Sequence, residues 1–142
     1  MCCFYGLYYA EDVNKLLHEI IEHLSSDGTI LIVGPYGDNN AKLFSLLERY
    51  YNLPELVKRS ATTFMEKEVI PVLSKYCRIE SNTFKNIIHY PNTKAIADYW
   101  RSSTFYSPDH EKDVIKEMDE YCTLHDEFVI EKHVMACIAR RI

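Results

Sequence analysis

The residues with the most chemistry to offer are six histidines and five cysteines, and residues 18–23, "HEIIEH", put two of the histidines beside two acids. A zinc site of the protease type needs two His side chains one helical turn apart, so that both imidazoles reach one ion. His18 and His23 are five residues apart, which is about 140° around a helix of 3.6 residues per turn. They cannot share an ion. Their spacing instead puts them on a solvated face, one turn from Glu22 and Glu19 respectively. Cys122 and His125 have no second pair of ligands near them in sequence, so no metal site is expected.

Covalent catalysis has no better footing. A cysteine nucleophile needs a neighbouring base to lower its pKa, and neither Cys2 nor Cys3 has one in sequence. The cysteines are odd in number and irregularly spaced, at positions 2, 3, 77, 122 and 137. That pattern fits reduced, buried thiols in a cytoplasmic protein and not a disulfide framework. No serine elbow, Walker loop or GxGxxG occurs, and the only glycines are Gly6, Gly28, Gly34 and Gly37. For proton transfer, His89 and His110 are the candidates.

The aromatic residues suggest a pocket. Eleven tyrosines are present, and Tyr8, Tyr9, Tyr36, Trp100 and Tyr106 fall at places where a ligand could meet them. Tyr8 and Tyr9 precede a helix, and Tyr36 follows a strand. In open α/β sheets, ligands bind beyond the carboxyl ends of the strands. "YWRSSTFY" around Trp100 and Tyr106 is long enough to fold over such a pocket.

These side chains must be positioned by an alternation of helices and strands. Val13, Leu16, Leu17, Ile20, Ile21 and Leu24 recur at offsets of three and four, which predicts a helix over 12–24 with one apolar stripe. "SSDG" stops it, with Gly28 expected in the left-handed conformation that ends helices. "TILIV", 29–33, predicts a central strand covered on both faces. After the turn "GPYGDNN", Asn39 or Asn40 can cap a second helix carrying Leu43, Phe44, Leu46, Leu47 and Tyr50.

Thr63 and Glu66 form a potential capping box for a third helix reaching toward Tyr76, which Pro71 must kink or split. Residues 78–90 look extended and "NTKAIADYWRSS" forms a short helix. "SPDHEKDVIKEMDEYC" forms an amphipathic helix burying Val114, Ile115, Met118, Tyr121 and Cys122, and 128–139 a closing strand. The result is one α/β domain over 1–142, in which 91–126 is a helical insert or lid on the substrate side.

Charge and length narrow the function classes. A net charge of −5 with scattered Lys and Arg argues against a nucleic-acid partner. No run approaches the roughly 20 apolar residues of a membrane span, and no basic segment or cleavage site marks a signal peptide.

The order of these elements resembles the C-terminal half of the class I S-adenosylmethionine-dependent methyltransferases, from the fourth strand onward. "MCCFYGLYYAEDVNKLLHEIIEHLSSDGTILIVGPYG" matches a fourth strand, a leucine with two aromatics, an acidic helix cap, an amphipathic helix, a polar turn and an apolar fifth strand. "VMACIARRI" matches a final strand ending in basic residues. The resemblance implies a Rossmann-like sheet that is mostly parallel, with its last strand antiparallel and helices flanking it. It implies S-adenosylmethionine as cofactor, with Cys3 and Phe4 near its methionine end, and a small-molecule methyl acceptor among Tyr8, Tyr9, Tyr36, Trp100 and Tyr106. The family's glycine-rich loop and the acid after its second strand have no counterpart here, so cofactor binding by the isolated chain is not expected.

Two functions follow. The chain is the substrate-side part of a small-molecule methyltransferase, inactive without a separate cofactor-binding half. Alternatively it is a non-catalytic interaction module, most simply a homodimer that covers the exposed edge of its first strand.

Overall fold

The computed structural model describes Met1–Ile142. Four strands and six helices alternate along the chain: β1 Cys2–Phe4, α1 Val13–Glu22, β2 Thr29–Pro35, α2 Ala41–Leu47, α3 Glu55–Thr62, α4 Ile70–Leu73, β3 Cys77–Tyr90, α5 Thr93–Arg101, α6 Glu111–His125 and β4 Phe128–Arg141. The sheet order is β1-β2-β4-β3. The last strand is therefore inserted between the second and the third.

β1 runs parallel to β2, with Cys2 opposite Leu31 and Phe4 opposite Val33. β4 runs antiparallel to β2, from Thr29 opposite Arg140 to Pro35 opposite Val134. β3 and β4 are also antiparallel, because Ile142 N–H donates to Tyr76 O while Arg140 pairs with Glu80. The expected antiparallel final strand is present.

Two compact units divide the chain. The first comprises Met1–Asn39, Lys58–Lys85 and His133–Ile142, and the second comprises Asn40–Val57 and Asn86–Lys132.

In the first unit, α1 forms as its stripe dictates, burying Val13, Leu17 and Ile21. Asp12 caps it by accepting a 2.8 Å bond from the Lys15 N–H. These residues join Ile30 and Ile32 of β2, Phe64, Met65, Val69 and Leu73 of the helical segment, and Met135, Cys137 and Ala139 of β4 in one apolar core. β2 presents Ile30, Ile32 and Gly34 as its buried face, whereas Leu31 and Val33 opposite are half-buried. Its second face is thus less covered than the continuous apolar run predicts.

Three local expectations are corrected. The third helix begins at Glu55 and not at Thr63, so the Thr63–Glu66 capping box does not form; Thr63 N–H already donates to Arg59 O inside a helical run. That run widens into a π turn at Met65–Val69, just ahead of α4. Pro71 supplies the reason, since it lacks an N–H and its ring crowds the carbonyl one turn back, and a widened turn relieves both.

Gly28 does not adopt positive φ, which among the glycines only Gly37 does. A Cβ at Gly28 would stand 2.5 Å from Leu24 Cγ and 2.9 Å from Ser25 O, so glycine is required there by close approach.

His18 and His23 bond through Nδ1 to the main-chain oxygens of Asn14 and Glu19, at 2.8 and 2.7 Å. Helix carbonyls take the place of the expected carboxylates, and His18 Nε2 also lies 3.4 Å from the Tyr76 hydroxyl.

The second unit is built on helices. α5 is capped by Asn92, whose Oδ1 accepts from Ala95 N–H at 3.0 Å, and it packs against α6. Ile96, Trp100, Val114, Met118, Leu43 and Leu47 are fully enclosed. On α6 only Val114 and Met118 are fully buried; Ile115, Tyr121 and Cys122 are half-buried. No helix is long and apolar enough to cross a membrane.

Candidate functional site

In the first unit, the residues after β1 and β2 form two adjoining turns. Tyr5 takes φ 52°, and its N–H donates to Val33 O at 2.9 Å, which carries the parallel pairing one residue beyond Phe4. Leu7–Tyr9 then closes a 3-10 turn. Tyr8 is half-buried, with its ring edge-on to Phe64 at 5.7 Å and tilted against Tyr9 at 4.8 Å. Burial first, and then the neighbouring Tyr9, pushes the Tyr8 phenol up to about 12. At neutral pH Tyr8 is therefore a hydrogen-bond donor and not a base.

Arg59 ties this turn to α3. Its Nη2 donates to Tyr8 O at 3.4 Å, its Nε lies 3.1 Å from Glu68 Oε1, and its guanidinium sits 5.8 Å from the Phe64 ring centre.

Beyond β2, Tyr36 packs edge-on to His133 at 5.9 Å. Gly37 turns the chain at φ 56° and donates to Thr62 O at 3.0 Å. Buried Asn39 accepts from His133 N–H through Oδ1 at 3.0 Å, so its side chain bridges to β4 and does not cap α2. Asn40 occupies the cap position with φ 59° and makes no capping bond. Its buried Oδ1 has no donor within the protein.

The cofactor-side positions implied by the resemblance lie on β1. Cys3 is half-buried and Phe4 is 59% exposed. No glycine-rich turn accompanies them, and Asp12 is engaged as the α1 cap. These side chains alone do not fit a nucleotide-bearing cofactor, which needs a backbone cradle for close approach.

The second unit holds the remaining candidates. Trp100 is fully enclosed, donating from Nε1 to Tyr51 Oη at 3.0 Å and meeting Tyr106 edge-on at 4.9 Å. It is a core residue, with no surface to offer a ligand in this arrangement. Tyr106 donates its hydroxyl to Glu111, which pushes the phenol up. His110 lies 2.8 Å from Ser107 Oγ and stacks on Tyr51 at 5.2 Å. His89 is exposed and pairs with Glu127 at 3.0 Å. The two histidines share no partner, so they form no relay.

Sequence reasoning did not find a cleft of about 340 Å³ in this unit, lined by Lys42, Ser45, Leu46, Arg49, Glu117, Tyr121 and Phe128. Nor did it find Arg59 or His133. Spacing shows Lys42, Ser45 and Arg49 on one face of a helical segment, but not which face of α6 they meet.

The strand order and the helices between the strands define a mixed α/β sheet whose last strand is antiparallel. No family model matches the sequence, and a search of curated proteins finds no match. Among solved structures, the YcgJ protein of Bacillus subtilis superposes with a TM-score of 0.57 at 17% identity, over 99% of this chain and 63% of that one. A protein of Bacillus halodurans assigned as a methyltransferase superposes with a TM-score of 0.57 at 14% identity, over 98% of this chain and 67% of that one. The chain thus spans less than two thirds of the first of these proteins and about two thirds of the second. At such identities the likeness establishes the fold.

Proposed function

We propose that these 142 residues are the substrate-side portion of an S-adenosylmethionine-dependent methyltransferase acting on a small molecule. The observation that carries this reading is the sheet order β1-β2-β4-β3 with an antiparallel final strand, in a chain that superposes over 98% of its length on a protein assigned as a methyltransferase. The turns beyond β1 and β2 lie where α/β folds bind ligands, and they carry Tyr8, Tyr9 and Tyr36. Most of the cofactor's contacts come from a half outside these residues, because Cys3 and Phe4 provide neither a glycine cradle nor an acid.

Calorimetry of the chain alone with S-adenosylmethionine is expected to show no binding. Adding a cofactor-binding half, fused or in trans, is expected to restore binding and transfer of labelled methyl groups to small acceptors. A reconstituted two-part protein that still fails to bind the cofactor overturns the reading.

A second reading has one specific observation behind it. β1 is an edge strand, and Met1, Phe4, Tyr5 and Tyr9 are exposed in and beside it. An edge of this kind invites strand pairing, so the chain would serve as a self-associating, non-catalytic module. Sedimentation separates the two: a stable monomer removes the second reading.

A further inference from the structure

The cleft of the second unit combines an ion pair that is already satisfied with a cation that is not. Glu117 of α6 accepts from Arg49 through Oε1 and from the Tyr50 hydroxyl through Oε2. Its charge is balanced and both oxygens are occupied. Lys42 of α2, seven residues before Arg49, takes part in no ion pair. Its Nζ lies 4.2 Å from the ring centre of Tyr121 and 5.1 Å from that of Phe128. An ammonium over ring faces is held in place by the ring quadrupole without losing its charge.

The lining therefore carries one positive charge outside any ion pair, a neutral polar group in Ser45, and an apolar wall in the half-buried ring of Tyr121, with Leu46 and Phe128 buried behind it. A volume of about 340 Å³ is in the range of small-ligand pockets. Cationic ligands are disfavoured because Lys42 and Arg49 both face them. Phosphate esters are poorly served because the Arg49 fork, the group suited to bidentate phosphate recognition, is already committed to Glu117. We infer that this cleft binds a small monocarboxylate with a compact apolar body, its carboxylate on Lys42 and its body beside Tyr121.

This inference is independent of methyl transfer and is tested by binding alone. Benzoate titrated into the full chain, followed by amide chemical shifts, is expected to perturb residues of the cleft saturably, whereas benzyl alcohol and benzylamine do so far more weakly. Lys42→Gln, at an exposed position, is expected to weaken benzoate about tenfold, the value of one charge-assisted hydrogen bond. Glu117→Gln releases the Arg49 guanidinium to meet the carboxylate, so it is expected to tighten benzoate severalfold. The inference is overturned if benzoate leaves the cleft unperturbed, if benzylamine binds there equally well, if Lys42→Gln changes nothing, or if Glu117→Gln fails to tighten binding.

Discussion

Arg59 of α3 donates through Nη2 to the main-chain oxygen of Tyr8 at 3.4 Å, 51 residues earlier in the chain. The same guanidinium faces Glu68 at 3.1 Å, so one side chain links a strand-end turn to the helical layer beneath it. Its side chain is 38% exposed, which limits what the contact contributes. Arg59→Ala is expected to cost about 0.5–1.5 kcal/mol and to speed amide exchange at Tyr9 and Ala10, whose N–H groups close the turn onto Gly6 O and Leu7 O. Exchange unchanged at these two amides would show that the turn holds itself.

Gly28 offers a sharper test, because two explanations for a glycine at that position make different predictions. If left-handed backbone were the requirement, Asn would be tolerated. With a Cβ position 2.5 Å from Leu24 Cγ, every side chain collides, and Gly28→Ala and Gly28→Asn should both destabilise by about 1–3 kcal/mol. Urea unfolding of the two variants decides it; a near-neutral Asn variant would contradict the close-approach explanation.

The fold was legible wherever one periodicity governed one element. The α1 stripe, "TILIV" and the closing strand lie within a few residues of their expected positions, since each carries an apolar pattern that sequence displays directly, although only one face of "TILIV" is fully buried. What the sequence concealed depends on the third dimension. The Thr63–Glu66 pair has the letters of a capping box, but the helix had already begun at Glu55. Among the aromatics, composition could not separate enclosed Trp100 from half-buried Tyr8, as both are large rings near polar turns. The cleft was invisible because Lys42 and Tyr121 are 79 positions apart, and only packing brings ammonium and ring together.

Trp100 is the chain's one tryptophan, so the enclosed site reports on itself. Its fully buried indole donates to Tyr51 Oη, which in turn donates to Phe105 O at 2.6 Å. Native emission should be strongly blue-shifted and shift red on unfolding. Tyr51→Phe strands the indole N–H inside the core and is expected to cost about 1–3 kcal/mol. Denaturation followed by tryptophan emission measures it, and a stability within 0.5 kcal/mol of wild type would mean that the indole finds another acceptor.

Tyr50 donates its hydroxyl to Glu117, and that bond is the main reason its phenol is pushed up to about 12. The protonated form is the one the fold favours, so the contribution is fully present below the ordinary phenol value of 10.0. It is lost as pH rises from there toward 12, because the unfolded chain releases its proton first. Tyr8, raised to about 12 chiefly by burial, adds to the same window. Stability should therefore fall steeply between pH 10 and 12, and a spectroscopic titration should show Tyr50 and Tyr8 among the tyrosines that ionise late. Tyr50→Phe should remove one late titration and flatten the alkaline fall while lowering stability at neutral pH, where the bond to Glu117 is intact. A Tyr50→Phe variant whose alkaline profile runs parallel to that of the wild type would show that the Glu117 bond does not control this titration.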